Sequence, residues 1–437
     1  MPTLPTNSSN VSPGDSHPSQ LAIAGRLPLF SLCVIFLLTC TLPPLLVYLH
    51  VSSTLAAGLT VAAALAILLV LVNFAVISAH SGNRPLLQAR GNSVVLLGVL
   101  LALTVIHGVI ASQFVPINVH RFALSLIPLT FLISGAIALS YALKTATPRQ
   151  IDTMARVCFW AFMGIILLRL AHLEPATAAY HKPVFPFSEP SHFALAFGPF
   201  YLYRSVTARR KHQLAWLAFG VAVAVTLRSE TFLAFTFGAA ILCRRLLLLT
   251  SVAALAILTT AATHLSYFTS RTDITAHSRN LSVLVYIQGW EFLWRSLVLS
   301  RGWGLGFQQL GTFPLHLAIT RLIRRYANGT ALNTMGGSFV LSKLGSEFGI
   351  FGLLLTVAFS ALCLTSIAKL RRLAHMQHDT FARCVIVAFG VDMFIRGTGY
   401  FYGAALLFLG ALLSLSPGYG LLRRHVSKRH GEALILQ

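Results

Sequence analysis

Apolar stretches near the length that crosses a bilayer follow one another from residue 28 to residue 421. About 20 helical residues cover the hydrocarbon core of a membrane. Lipid offers no partner for a bare backbone N–H or C=O, so a run of this kind has to satisfy itself as a helix. We read about twelve spanning helices in this pattern. They fall at 28–50, 53–79, 93–114, 122–143, 154–173, 191–207, 213–228, 230–244, 246–263, 337–367, 382–398 and 403–421. Those between 191 and 244 are short, as expected of tilted, broken or re-entrant segments. Only 10% of residues are charged, where a soluble domain carries about a quarter. The fold class is therefore an all-α polytopic membrane protein.

The chain divides accordingly. Residues 1–27 are rich in Ser, Pro, Asn and Thr and read as a disordered cytoplasmic tail. Residues 28–263 hold spans one to nine, 264–336 form one large helical loop, 337–421 hold spans ten to twelve, and 422–437 form a basic tail. No basic n-region stands directly ahead of the first apolar run, so that run reads as a retained span rather than a signal peptide.

A net charge of +22 would suggest nucleic acid in a soluble protein. Here the basic residues punctuate apolar runs and read as topology instead, with no nucleic-acid partner. Alternate loops carry Arg84 and Arg90, Lys144 and Arg149, Arg204 to Lys211, Arg244 and Arg245, and Lys369 to Arg372. The loops between carry only Arg121, Lys182 and Arg228. The positive-inside rule then places both termini in the cytoplasm, and puts 174–190, Arg228 and the 264–336 loop outside. That loop nevertheless holds Arg271, Arg279, Arg295, Arg301, Arg321, Arg324 and Arg325. A polyanionic ligand accounts for them, and so does attraction to membrane lipid headgroups. The six cysteines lie in or beside apolar runs without ligand spacing and read as small hydrophobes.

Eleven carboxylates are few enough to weigh singly. Asp15, Asp152, Asp379 and Glu432 read as solvated cytoplasmic surface. Asp392 lies inside a span with Arg396 four residues on, a spacing that favours a structural ion pair on one helix face. Glu189, in Ser188-Glu189-Pro190-Ser191-His192, stands at a helix start, where capping and function are both open. Arg228, beside Glu230, is either a turn ion pair or, if buried, an anion clamp. Tyr286 to Arg295 reads as an amphipathic interfacial helix, with Trp290 and Trp294 one turn apart and Glu291 between them. Trp290 is an anchor at the headgroups or a platform for a sugar. The glycines of Arg301-Gly302-Trp303-Gly304-Leu305-Gly306 allow a tight turn and close backbone approach. Ser338, Ser342 and Glu347 lie near one face at the start of the tenth span.

Taken in order, Ser188-Glu189-Pro190-Ser191, Arg279-Asn280-Leu281-Ser282, Gly289-Trp290, Gly302-Trp303-Gly304-Leu305-Gly306, Gly337-Ser338 and Glu347-Phe348-Gly349 resemble the bacterial O-antigen ligase and polymerase superfamily. The resemblance covers roughly residues 170–360 and is nearest to Wzy-type exopolysaccharide polymerases. Ligases of that superfamily carry a His-Asn pair where this chain has Gly337-Ser338, which favours polymerase over ligase.

The resemblance implies a GT-C-like fold of helices around an outward-facing cavity, in the bacterial inner membrane. It implies a glycosyltransferase, independent of metal and without cofactor. The reaction moves a growing glycan from undecaprenyl pyrophosphate to another lipid-linked repeat unit on the periplasmic face. The implied partners are the undecaprenyl-pyrophosphate-linked oligosaccharide, a chain-length regulator and a flippase. A transporter or flippase is the alternative of another class; the lack of a half-to-half repeat counts against it. For the chemistry, arginines suit a pyrophosphate leaving group, and Arg228, Arg279, Arg295 and Arg301 are the expected binders. Glu189 and Glu291 are the expected catalytic carboxylates. Trp290, Ser338 and Glu347 are expected beside the substrate, Glu347 as a supporting residue.

Overall fold

A computed structural model describes residues 28–81, 87–173, 184–245, 278, 280–312, 315, 317–329, 332–372 and 379–416. The described residues form helices and connecting turns, with one isolated bridge between Val184 and Phe187. In chain order the helices are α1 (Leu29–Tyr48), α2 (Leu55–Ser81), α3 (Leu87–Ala111), α4 (Val119–Thr145), α5 (Pro148–Leu170), α6 (Pro190–Thr207), α7 (Gln213–Thr226) and α8 (Glu230–Leu242). Then follow α9 (Leu281–Leu299), α10 (Ala318–Tyr326), α11 (Val340–Phe348), α12 (Ile350–Arg372), α13 (Thr380–Phe394) and α14 (Gly403–Leu415). Among the described residues, α1, α2, α4, α5 and α12 are long and apolar enough to cross a membrane. The apolar parts of α3, α8 and α14 are shorter. The tails at 1–27 and 422–437, the expected ninth span at 246–263 and Arg279 lie outside the described residues.

Packing follows the distribution of apolar side chains. Helix α6 buries Phe193, Phe197, Phe200 and Tyr201, as befits a helix apolar on all sides. Its rings meet Phe159 and Phe162 of α5, Phe232 of α8 and Phe381 of α13. Aromatic rings at such spacings prefer offset-stacked and edge-to-face contacts, and stacked and tilted pairs both occur here. Helices α2, α4 and α14 pack into a second group around Leu59, Leu132 and Leu406, and α1 packs along α2. By contrast, Val99, Leu103 and Val109 of α3 and Leu354, Val357 and Leu364 of α12 face outward. Stripes of this kind on long apolar helices fit lipid rather than water.

The expected span 337–367 is not one helix. It breaks at Gly349, which has φ +60°. The Ile350 N–H donates to the Gly302 carbonyl at 2.8 Å, and that oxygen lies 2.0 Å from where a Cβ on residue 349 would sit. A side chain there would collide with the Gly302–Gly306 loop, so the loop and the helix break are one feature.

Two readings of charged residues are corrected as well. Asp152 is buried, not solvated: it pairs with Arg156 on its own helix and with Arg204 of α6 at 3.2 Å. Arg204 also lies over the Trp216 ring. Asp392 makes no ion pair with Arg396, and one of its carboxylate oxygens is buried without a hydrogen-bond partner among the described residues. Helix α13 ends at Phe394, and the Arg396 N–H reaches back to the Val391 carbonyl. The chain has left helical geometry there, so a four-residue spacing no longer puts the two side chains on one face.

Candidate functional site

The end of the bundle opposite Asp152 holds Glu189, one of the residues picked out from the sequence. This end is built on the 395–402 segment between α13 and α14. Gly397 donates its N–H to the Ser338 carbonyl at 3.0 Å. Tyr400 stacks on Phe307, and Lys343 of α11 lies over the Tyr400 ring. Arg396 reaches α6, where its Nη2 meets Glu189 Oε2 at 2.8 Å.

Glu189 holds the N-cap position of α6, but its carboxylate makes no capping bond. Pro190 at the first helical position has no N–H to satisfy. The carboxylate instead accepts from the Ser191 hydroxyl at 2.8 Å and from Arg396. Partial burial alone would raise its pKa; Arg396, His192 and the Ser191 hydroxyl overcome that and hold it down at about 2. The carboxylate is thus an anion that orients Arg396, and a weak base while so engaged. Just before α6, Ser188 Oγ lies 3.1 Å from Nδ1 of His192 in the first helical turn.

Beside this group lies a cavity of about 140 Å³, between α1, α6, the α1–α2 turn and the start of α14. Its polar lining includes Ser53, Ser188, His192, Thr398 and Tyr402; Pro44, Val47, Phe187 and Leu195 form part of the apolar wall. The hydroxyls of Thr398 and Tyr402 are buried without a hydrogen-bond partner among the described residues. Buried polar groups are normally satisfied, so two orphans on one cavity mark a place for a polar guest.

The other expected residues fall elsewhere. The Glu291 carboxylate accepts the N–H groups of Ala318 at 2.9 Å and Ile319 at 3.1 Å. It therefore caps α10 and is occupied in doing so. Glu347 is fully buried. It accepts from the Gln308 and Leu310 N–H groups and faces Lys343 at 3.7 Å. It locks the 303–310 loop onto α11. The same loop docks on α3 and α4 through His107 with the Trp303 carbonyl at 2.9 Å, and Gln309 with the Asn118 N–H at 2.8 Å. Ser338, with φ +69°, gives its hydroxyl to the Val285 carbonyl. It joins α9 to the 395–402 segment rather than facing the cavity wall.

Arg228, read as an anion clamp if buried, is exposed in the α7–α8 turn with φ +51°. Arg295 and Arg301 are also exposed. Trp290 and Trp294 are 43% and 67% exposed on one face of α9, as an interfacial anchor would be. Arg396, His192, Thr398 and Tyr402 were not picked out from the sequence for chemistry. Gly397 and Gly399, at the end of the expected span 382–398, are the sequence signal of a chain leaving its helix. Comparison with family models, with curated proteins and with solved structures gives no match in any of the three.

Proposed function

We propose that the protein is a polysaccharide polymerase of the bacterial inner membrane. It has about twelve spans in a GT-C-like arrangement and both termini in the cytoplasm. It transfers a growing glycan from undecaprenyl pyrophosphate to a lipid-linked repeat unit on the periplasmic face. The observation that carries the reading is the Arg396–Glu189 pair beside a cavity with unsatisfied hydroxyls. A transferase of this class needs a fixed cation for the leaving pyrophosphate and a pocket for the attacking sugar. Arg396, already oriented by Glu189, offers two parallel donors to a phosphate without reorganising. Arg396 therefore takes the role first expected of Arg228. Arg295 and Arg301, exposed on α9 and just after it, suit an outer approach for the anionic donor.

The test is polymer assembly by the purified full chain in vesicles, fed undecaprenyl-pyrophosphate-linked repeat units. A ladder of lengthening glycans and release of undecaprenyl pyrophosphate are expected. Arg396→Ala should lower the rate by roughly 10²- to 10³-fold, the usual loss for one fixed donor to a developing anion. An Arg396→Ala protein that inserts normally and makes full-length polymer at the wild-type rate would remove the basis of the assignment.

A further inference from the structure

The cavity beside Glu189 and Arg396 has a polar lining that an anion clamp alone does not use. Taking the polymerase reading as given, we propose that the cavity receives the acceptor sugar, and that His192, oriented by Ser188, takes the proton from its attacking hydroxyl. Three observations converge on this.

The first is size. At about 140 Å³ the space is close to the roughly 150 Å³ in which an engineered cavity takes one benzene ring. It can therefore seat one sugar-sized ring. The wall is mixed in the manner of a sugar site. Phe187, Pro44 and Leu195 offer apolar faces to ring C–H groups, while a few hydroxyls are placed to fix orientation. The second is polar complementarity. Thr398 and Tyr402 each keep a buried hydroxyl without a partner among the described residues, and Tyr402 is 7% exposed. Each can donate to, or accept from, a sugar hydroxyl.

The third is the base. Ser188 Oγ stands 3.1 Å from His192 Nδ1. With Nδ1–H donated to Ser188 Oγ, Nε2 is left bare to accept a proton. The charged groups facing this ring are Glu189 and Arg396. Of the remaining titratable groups, Tyr402 and Cys40 line the same cavity.

The step then balances. The acceptor hydroxyl oxygen bonds to the anomeric carbon of the donor sugar. The bond from that carbon to the pyrophosphate oxygen breaks, and its electron pair leaves on the pyrophosphate, which Arg396 holds. The hydroxyl proton passes to His192 Nε2 and from there to water.

The experiment measures release of undecaprenyl pyrophosphate by the full chain in vesicles across pH 5 to 8, together with binding of radiolabelled donor. His192→Gln is expected to lower the rate by about 10²- to 10⁴-fold, the range for a general base. Donor binding should be unchanged, and the acid limb of the wild-type pH–rate profile should disappear. Ser188→Ala keeps the ring and loses its orientation; a smaller rate loss with retained acid limb is expected. Thr398→Val and Tyr402→Phe should each raise the KM for the acceptor by roughly three- to tenfold, the worth of one hydrogen bond.

A His192→Gln protein that works within threefold of wild type, or keeps the acid limb, overturns the base assignment and leaves the polymerase reading standing. Should His192→Gln fail to insert, an unchanged rate and unchanged pH profile in Ser188→Ala overturn it instead. A wild-type protein that makes no polymer overturns both.

Discussion

Replacing Glu347 by alanine separates a carboxylate that holds the fold from one that touches substrate. The side chain is 0% exposed, and Lys343 is 4% exposed. The substitution strands three groups together. The N–H groups of Gln308 and Leu310 lose their acceptor, and an orphaned buried donor costs roughly 1–3 kcal/mol. Lys343 loses its counter-charge and keeps the Met335 carbonyl at 2.7 Å, the Gln308 side-chain oxygen at 3.4 Å and the Tyr400 ring. Removing one partner of a buried ion pair costs about 3–5 kcal/mol. These losses overlap, because the loop relaxes once rather than three times, so about 3–5 kcal/mol is the expected total. The double variant Glu347→Ala, Lys343→Met removes the stranded charge and should be more stable than Glu347→Ala alone. Unfolding in graded detergent mixtures, followed by tryptophan fluorescence, measures both; Trp303, packed between Phe114 and Phe351, sits on the affected loop. A Glu347→Ala protein of unchanged stability that no longer assembles polymer would refute the structural account and return Glu347 to the substrate.

Three shorter tests follow. Glu291→Ala should uncap α10 at a cost of about 0.5–2 kcal/mol and speed tryptic cleavage at Arg321, Arg324 and Arg325, with little effect on transfer. Lost transfer with unchanged cleavage would make Glu291 catalytic after all. Asp152→Asn should loosen α5 from α6 and lower stability by roughly 1.5–3 kcal/mol, the worth of hydrogen bonds to a charged group; an unchanged unfolding curve would show the Arg204 contact to be idle. The Glu189–Arg396 pair carries a pH signature. Because folding depresses the Glu189 pKa from 4.5 to about 2, its contribution is present above pH 4.5 and lost as the pH falls towards 2. The stability difference between wild type and Glu189→Gln should therefore hold from pH 7 to pH 5 and shrink in stronger acid. A difference that fades between pH 7 and pH 5 would contradict the depressed value.

Hydropathy located the long apolar helices among the described residues because lipid-facing segments must be apolar and self-bonded whatever their neighbours do. The expected span 122–143 became Val119–Thr145, and 28–50 became Leu29–Tyr48. Where a boundary depends on a distant segment, hydropathy had nothing to read. The break between α11 and α12 exists because the Gly302–Gly306 loop occupies it. The apolar pattern runs straight through Phe348, Gly349, Ile350 and Phe351, and only the glycine hints at the turn.

The site shows the same division. Glu189 was legible because Pro190 and Ser191 fixed it to a helix start, a local matter. Its partner was not, since Arg396 lies 207 residues away and next to a nearer carboxylate that helical spacing would choose first. That choice assumes the helix continues to residue 396. It stops two residues short, and Gly397 is drawn to the Ser338 carbonyl, so the Arg396 guanidinium turns from Asp392 to Glu189. An ionisable pair read from i,i+4 spacing therefore holds only where both residues lie inside the helix. At the last turn before a glycine, the partner is set by what the outgoing chain packs against. Here that is the start of α6, which brings cation, carboxylate, imidazole and cavity to one place.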